Sequence, residues 1–172
     1  MKITPALIAP PLLAAATLLA VDVGCAADFP RRKPGLWELT IAGDGGRRPP
    51  RTSRFCLDAA TDALLMRNAV GADQKDCSKQ SVDVHGAQAA VHSVCTIMGH
   101  QATTDVAIAY QGDTAVHMEI HSLYSPPMFG RSESSSQLDA HWIGDCGAEM
   151  APGDMLLPGG VKMNILKMTV GR

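Results

Sequence analysis

The sequence lacks the short motifs by which many enzymes are recognised. It has no Gly-x-Ser-x-Gly nucleophile elbow, no glycine-rich phosphate-binding loop and no His-Glu-x-x-His zinc-protease pattern. No cysteine is left for nucleophilic chemistry if the cysteines of the mature chain are all paired. We therefore expect a protein that is not an enzyme and needs no cofactor.

Aromatic residues and net charge are also scarce. Aromatics make up 4% of the 172 residues, and the formal net charge is −2. Both values argue against a nucleic-acid partner, which a strongly basic surface would attract. Residues 28–54 are the exception, with seven Lys and Arg against three Asp and Glu. The stretches RRK and RRPPRTSR in this region could meet an anionic lipid or polysaccharide of the cell envelope, or be solvated loops.

The N-terminus has the pattern of an export signal. Met1-Lys2 is followed by an apolar run at residues 6–21, which Pro10-Pro11 interrupts and which is too short for a transmembrane span of about 20 apolar residues. We expect a signal peptide at residues 1–27, cleaved after Ala26 or Ala27, and a single β domain at 28–172. Export would place the protein in the periplasm of a Gram-negative bacterium or outside the cell.

Cys25 offers an alternative, because a cysteine after an exported apolar run can be lipidated. Asp22 stands three positions before it, where lipoprotein signals have an aliphatic residue, so cleavage without a lipid anchor is the favoured prediction.

Four cysteines remain in the mature chain, and an even number in an exported protein indicates two disulfides. Their spacing lacks the close pairs of structural zinc sites. Cys77 and Cys95 each lie nine residues from Gly86, so a hairpin centred there would place them opposite each other. This favours Cys77–Cys95 with Cys56–Cys146, and leaves the other two connectivities open.

Alternating apolar and polar residues predict a mainly β fold, a single antiparallel curved sheet or partly open β-barrel. We expect about seven strands and one short helix in DAATDALLMRNA, with Asp58 or Thr61 as its N-cap. The stretch SPPMFG is expected to interrupt the chain, and the segment from Gly147 onward to be a Pro/Gly-rich tail.

The clearest hairpin turns at residues 112–114. Its alternation pairs residue 110 with 116, 108 with 118 and 106 with 120, which puts both apolar sets on one side of the sheet. The other side then carries His117, Glu119 and His121.

These three side chains alternate along one strand, so they suggest a metal site or a solvated face. Along a strand rising about 3.3 Å per residue, His117 and His121 are roughly 13 Å apart and converge poorly on one ion. A neighbouring pair would still need a third ligand from elsewhere. The residues that we consider for that role are Asp105, His92 and His141.

Several short segments together resemble a secreted bacterial family known as domain of unknown function 3617. They are RKPGLWELT, FCLD, Cys77 and Cys95, HWIGDC and the later turn PGDM. The resemblance spans roughly residues 32–160 and implies an exported, disulfide-stabilised, mostly β domain without known catalytic residues.

The motif residues of this resemblance also have a structural interpretation. Gly35, after Pro34, permits a tight bend into the first strand, and Trp37 supplies a large buried contact. Gly144 would allow close backbone approach near Cys146.

Three functions fit these features. The first is a non-catalytic envelope binding module for a lipid or apolar ligand, which a continuous apolar cavity would support. The second is a structural or stress-related interaction protein. The third is a metal-binding protein that uses His117, Glu119 and His121.

Overall fold

The fold is a single open antiparallel sheet of nine strands. A computed structural model describes residues 29–43, 49–69 and 75–168, so the predicted signal peptide and Cys25 lie outside the described residues. The elements are β1 (Gly35–Gly43), β2 (Arg51–Leu57), α1 (Ala59–Ala69), β3 (Cys77–His85), β4 (Gln88–Ile97), β5 (His100–Gln111), β6 (Ala115–Met128), β7 (Arg131–Gly144), β8 (Asp154–Leu156), β9 (Lys162–Asn164) and α2 (Ile165–Met168).

The strands are ordered β3-β4-β5-β6-β7-β1-β2-β8-β9 across the sheet. Four successive hairpins form β3 to β7, and β1 then pairs with the late strand β7. The β5–β6 register is the predicted one, with Tyr110 opposite Val116 and Ile108 opposite Met118. The expectation of a mainly β, antiparallel fold is confirmed. Within the described ranges, neither helix has the length and apolar character needed to cross a bilayer.

The core lies on the apolar face of the sheet, where alternation brings buried residues of six strands together. Its members are Trp37, Phe55, Leu57, Met66, Ala89, Val91, Val106, Ile108, Tyr110, Val116 and Ala140. Burial raises the pKa of Tyr110 to about 12, so its hydroxyl stays protonated and donates to Met66 Sδ, 3.8 Å away. This contact joins α1 to the sheet.

Helix α1 begins where Asp58 caps it. The Asp58 carboxylate accepts hydrogen bonds from the backbone N–H and the hydroxyl of Thr61, which lowers the pKa of Asp58. Asp62, in the first turn of the helix, forms a buried ion pair with Arg32, whose Nε lies 2.6 Å from Asp62 Oδ1. The predicted helix therefore has the first of its two proposed caps.

The two disulfides are Cys77–Cys95 and Cys56–Cys146. Cys77 lies opposite Cys95 in the β3–β4 hairpin, as the symmetric spacing about Gly86 suggests. Cys56 lies in β2 beside β1, and Cys146 follows β7 on the other side of β1, so this bond spans the strand that joins early and late segments. Two disulfides are typical of an oxidising, non-cytoplasmic compartment.

Gly35 starts β1 where no larger residue fits. Its φ is +133°, and a Cβ built there would clash with Trp142 Nε1 and with the carbonyl oxygen of Gly144. Gly144 differs from our expectation of close backbone approach, because no atom lies within 4 Å of a Cβ built there. Glycine is favoured at position 144 because of its φ of +149°, which other residues rarely adopt.

The stretch SPPMFG coincides with an irregular part of β6. The strand itself continues to Met128 before the turn at Phe129-Gly130, but its register with β7 shifts between Leu123 and Met128, so the expected interruption appears as a lapse in strand pairing. Ser125 is the last residue of β6 that pairs with β5. The two prolines that follow, which lack a backbone N–H, are therefore not required to donate a hydrogen bond to β5.

The segment from Gly147 onward, which we expected to be a Pro/Gly-rich tail, adds two strands to the sheet. Its strands β8 and β9 continue the sheet beyond β2, which brings the described strands to nine instead of about seven. Asp154 holds this extension through Lys162 Nζ at 2.8 Å and Asn164 Nδ2 at 2.8 Å, and these contacts lower the pKa of its carboxyl. Three-residue strands are too short for alternation to reveal them.

The described basic residues of RRK and RRPPRTSR do not form one patch, and Arg47 and Arg48 lie outside the described residues. Arg32 is buried against Asp62, Lys33 Nζ lies 3.6 Å from the centroid of the Trp142 ring, and Arg54 pairs with Glu38. These contacts divide the basic residues among the core, one end of the sheet and its polar face.

Candidate functional site

A groove crosses the polar face of the sheet. We call it the alanine groove, because Ala90 and Ala107 lie side by side on its floor, and Ala42 lies farther along the same row, beyond Glu119 and Gln137. Strand register places Ala90 opposite Ala107, and Ala107 opposite Glu119. Side chains on both sides of these alanines are larger, so the small methyl groups leave a trough of about 770 Å³.

The walls of the alanine groove are polar and titratable. His92, Asp105 and His121 form one row across β4, β5 and β6, since Asp105 is opposite both histidines in the sheet register. Asp83 and Glu119 lie beside the floor. With its carboxylates ionised, the site presents an apolar floor between hydrogen-bond acceptors.

The trough extends toward the β5–β6 turn. A second depression of about 480 Å³ shares Ala90, Ala107 and Glu119 with the first, and adds Ala109 and His117. The two depressions are therefore neighbouring parts of one elongated surface. A long, narrow molecule fits this shape better than a compact one.

Each groove histidine has a carboxylate partner. His92 Nδ1 lies 2.7 Å from Asp105 Oδ1, and His121 Nε2 lies 3.7 Å from Glu133 Oε2. His117 Nδ1 lies 2.7 Å from Asp139 Oδ1, and its Nε2 lies 3.6 Å from Glu119 Oε1.

The Asp139 partner has a measurable consequence for His117. The hydrogen bond to Asp139 is the main cause that raises the pKa of His117 above its ordinary value, and Glu119 adds to it. Protonated His117 therefore stabilises the folded protein through its contact with Asp139.

We expect Asp139→Asn to lower the pKa of His117 toward its ordinary value, because the charged acceptor is lost. A raised folded-state pKa stabilises the wild type fully below about pH 6.5, and that contribution disappears as the pH rises through the raised pKa. An NMR titration of His117 and urea unfolding at several pH values measure both effects. Asp105→Asn, which removes the partner of His92, is the control and should leave His117 unchanged. Equal His117 titration in wild type and Asp139→Asn would contradict this assignment.

The structure does not bring the suggested metal ligands together at one point. Asp105 lies beside His92 and opposite His121, and Glu119 lies beside His117. His117 and His121 engage different carboxylates, and His141 lies one row beyond His117, opposite Ala115 and Glu38. Among residues 29–43, 49–69 and 75–168, no group of three or more His, Cys, Asp or Glu side chains is placed to hold a metal ion.

Sequence reasoning placed His117, Glu119 and His121 opposite Ala109, Ala107 and Asp105, which the register confirms. It missed the alanine groove, although the signal was present in these alanines. Alanine on the polar side of a strand is unremarkable singly. It forms a trough only when neighbouring strands contribute alanines to the same row.

Comparison with known proteins supports the family resemblance without adding an activity. Neither the curated proteins nor the solved structures include a match to this chain. A family model described as "Protein of unknown function (DUF3617)" matches residues 32–146, which is more than half of the chain. The matched region includes β1 to β7 and all four cysteines of the two disulfides. The chain therefore belongs to the DUF3617 family.

Proposed function

We propose that the protein is an exported, non-catalytic binding module that holds an elongated amphipathic molecule, such as a lipid, in the alanine groove. The observation that carries this proposal is the pairing of an alanine floor with walls of histidine and carboxylate side chains. An apolar body would lie on the alanines. Its polar group would donate hydrogen bonds to the carboxylates at the wall.

The size and position of the groove support this proposal. Its volume of about 770 Å³ is within the range of about 300–1,000 Å³ that is usual for small-molecule sites. The floor residues Ala90 and Ala107 belong to β4 and β5, whose opposite face packs in the core, so the site is preformed on a rigid element.

Export to the periplasm is the second part of the proposal. It rests on the N-terminal sequence pattern and on the two disulfides, which suit an oxidising compartment.

Filling the floor tests the binding function directly. Ala107→Phe places a ring in the groove, and its side chain points away from the core, so folding should be unaffected. We expect binding of N-phenyl-1-naphthylamine, an apolar fluorophore with one hydrogen-bond donor, to weaken at least about tenfold, equivalent to about 1.4 kcal/mol. Fluorescence titration measures the dissociation constant.

Ala115→Phe is the matched control. Ala115 lies in β6 on the same polar face of the sheet as Ala107, but outside the groove. It should bind the fluorophore like the wild type. Equal affinity of Ala107→Phe and Ala115→Phe would contradict binding in the alanine groove.

A further inference from the structure

Two hairpin turns expose large apolar residues at one end of the sheet. Met98 begins the β4–β5 turn and Phe129 begins the β6–β7 turn, and their exposed fractions are 77% and 82%. A single exposed apolar residue is ordinary on a protein surface, whereas two large ones at the tips of neighbouring hairpins indicate an interaction surface.

The strand register brings these two turns to the same end. Gln101 at the start of β5 is opposite Ser125 near the end of β6, and His100 Nδ1 lies 2.9 Å from the carbonyl oxygen of Pro126. Because β5 is antiparallel to both β4 and β6, the β4–β5 turn and the β6–β7 turn lie at the same end of the sheet.

The backbone at these tips is unfavourable for the residues present. Met98 has φ of +51° and Phe129 has φ of +50°, and each precedes a glycine that also has positive φ. This is the pattern of type I′ turns, which favour Asn, Asp or Gly at the first position. Large apolar side chains at both positions are unfavourable for two reasons, the positive φ of the backbone and the exposure to water. Their presence therefore does not contribute to the stability of the fold.

The turns at the opposite end of the sheet follow the ordinary preference. There the β3–β4 turn has Gly86 at φ +59° and the β5–β6 turn has Gly112 at φ +62°. Both turns also expose small or polar neighbours, Ala87 and Asp113. Among the described hairpins of β3 to β7, apolar tips therefore lie at one end of the sheet.

Exposed cations lie at the same end of the sheet as the apolar tips. Lys75 precedes β3 and Lys79 lies near its start, beside the end of β4, while Arg131 begins β7 next to the Phe129 turn. Among the described residues, these three exposed cations compare with two acidic residues at the same end, Asp76 and Glu133.

We propose that this end of the sheet docks on the surface of a lipid bilayer that contains anionic phospholipid. Met98 and Phe129 enter the headgroup region, and the lysines and the arginine remain at the level of the phosphates. A bilayer fits better than a protein partner, because the apolar side chains stand singly on separate tips and do not form a continuous flat face. This proposal is independent of ligand binding in the alanine groove.

The double variant Met98→Asn/Phe129→Asn separates docking from stability. Asparagine suits the left-handed backbone, so we expect the melting temperature to stay the same or rise, while partitioning onto vesicles falls roughly tenfold. The assay is flotation of the purified protein with vesicles of equimolar phosphatidylethanolamine and phosphatidylglycerol. Ile143→Asn, which removes an exposed apolar residue near the opposite end of the sheet, should float like the wild type.

Lys75→Gln/Lys79→Gln tests the charge without altering either turn. This variant should float less with the anionic vesicles, and the wild type should lose binding when salt is added or when the vesicles contain only phosphatidylcholine. Binding of N-phenyl-1-naphthylamine should be unchanged in all of these variants, which keeps this test separate from that of the groove.

Three outcomes would overturn the docking proposal. The first is flotation of the double asparagine variant equal to that of the wild type, and the second is no flotation of the wild type at all. The third is a wild-type dimer that the double variant converts to a monomer without any vesicle binding, since the tips would then meet a second copy of the chain.

Discussion

Replacing Trp37 with alanine is expected to lower the free energy of unfolding by about 3–5 kcal/mol, the usual range for deleting a buried tryptophan. Its exposed fraction is 0%, and its ring stacks on Phe55 with 6.4 Å between centroids. The indole Nε1 donates to the carbonyl oxygen of Lys33 at 2.8 Å, and the Arg32 guanidinium lies 5.7 Å from the ring centroid. Deletion would leave a cavity and remove the contact that secures the segment before β1.

Urea denaturation followed by circular dichroism measures this loss. Trp142→Ala is the matched control, because Trp142 is only half-buried and lies opposite Trp37 on the neighbouring strand β7. Its loss of stability should be clearly smaller, although its Nε1 also donates to a backbone carbonyl, that of Pro34. Equal losses in the two variants would show that Trp37 is not the centre of the core.

Removing the Cys56–Cys146 disulfide is the second large effect. The bond joins residues 90 positions apart, and the chain-entropy relation assigns a loop of that length about 4–5 kcal/mol. Cys56 is buried beside the core, so its replacement by alanine adds a small packing loss. We expect Cys56→Ala/Cys146→Ala to unfold at a much lower guanidinium concentration than the wild type.

The Cys77–Cys95 bond provides an internal comparison. Its residues are 18 positions apart, for which the same relation gives about 3 kcal/mol. Cys77→Ala/Cys95→Ala should therefore retain more stability than the first variant, and a reductant should destabilise each variant by less than the wild type. If Cys77→Ala/Cys95→Ala were the less stable of the two, loop length would not determine these contributions.

The parts of the fold that the sequence predicted share one property. Long strands with one buried face, such as β5 and β6, alternate over many residues, so their register follows from matching apolar sets. The symmetric spacing of Cys77 and Cys95 about Gly86 works in the same way, since a hairpin turn fixes the pairing of both strands.

The parts that the sequence did not predict depend on neighbours from distant segments. The alanine groove needs Ala42 from β1 in the same row as Ala90 and Ala107, a row that exists only once β7 has paired with both β6 and β1. The strands β8 and β9 pair through positions that carry no alternation. The carboxylate partner of His117 is 22 positions away along the chain, so local spacing could not reveal it.

The alanine groove and the apolar tips lie on the same β strands. His92 and Asp105 at the groove wall are about five residues from the Met98 turn along β4 and β5, or roughly 17 Å at the usual rise per residue. Docking through the tips would bring the groove close to a bilayer surface. A lipid-like ligand could then pass between the bilayer and the alanine groove over a short distance.

An amphipathic molecule held in the alanine groove should remain bound during gentle purification. Native mass spectrometry of the protein purified from cells, compared with its mass after denaturation, detects such a molecule. We expect an extra mass that is released on denaturation, present in the wild type and in Ala115→Phe and absent from Ala107→Phe. An extra mass that Ala107→Phe retains, or a wild type without extra mass that also fails to bind the fluorophore, would contradict binding in the alanine groove.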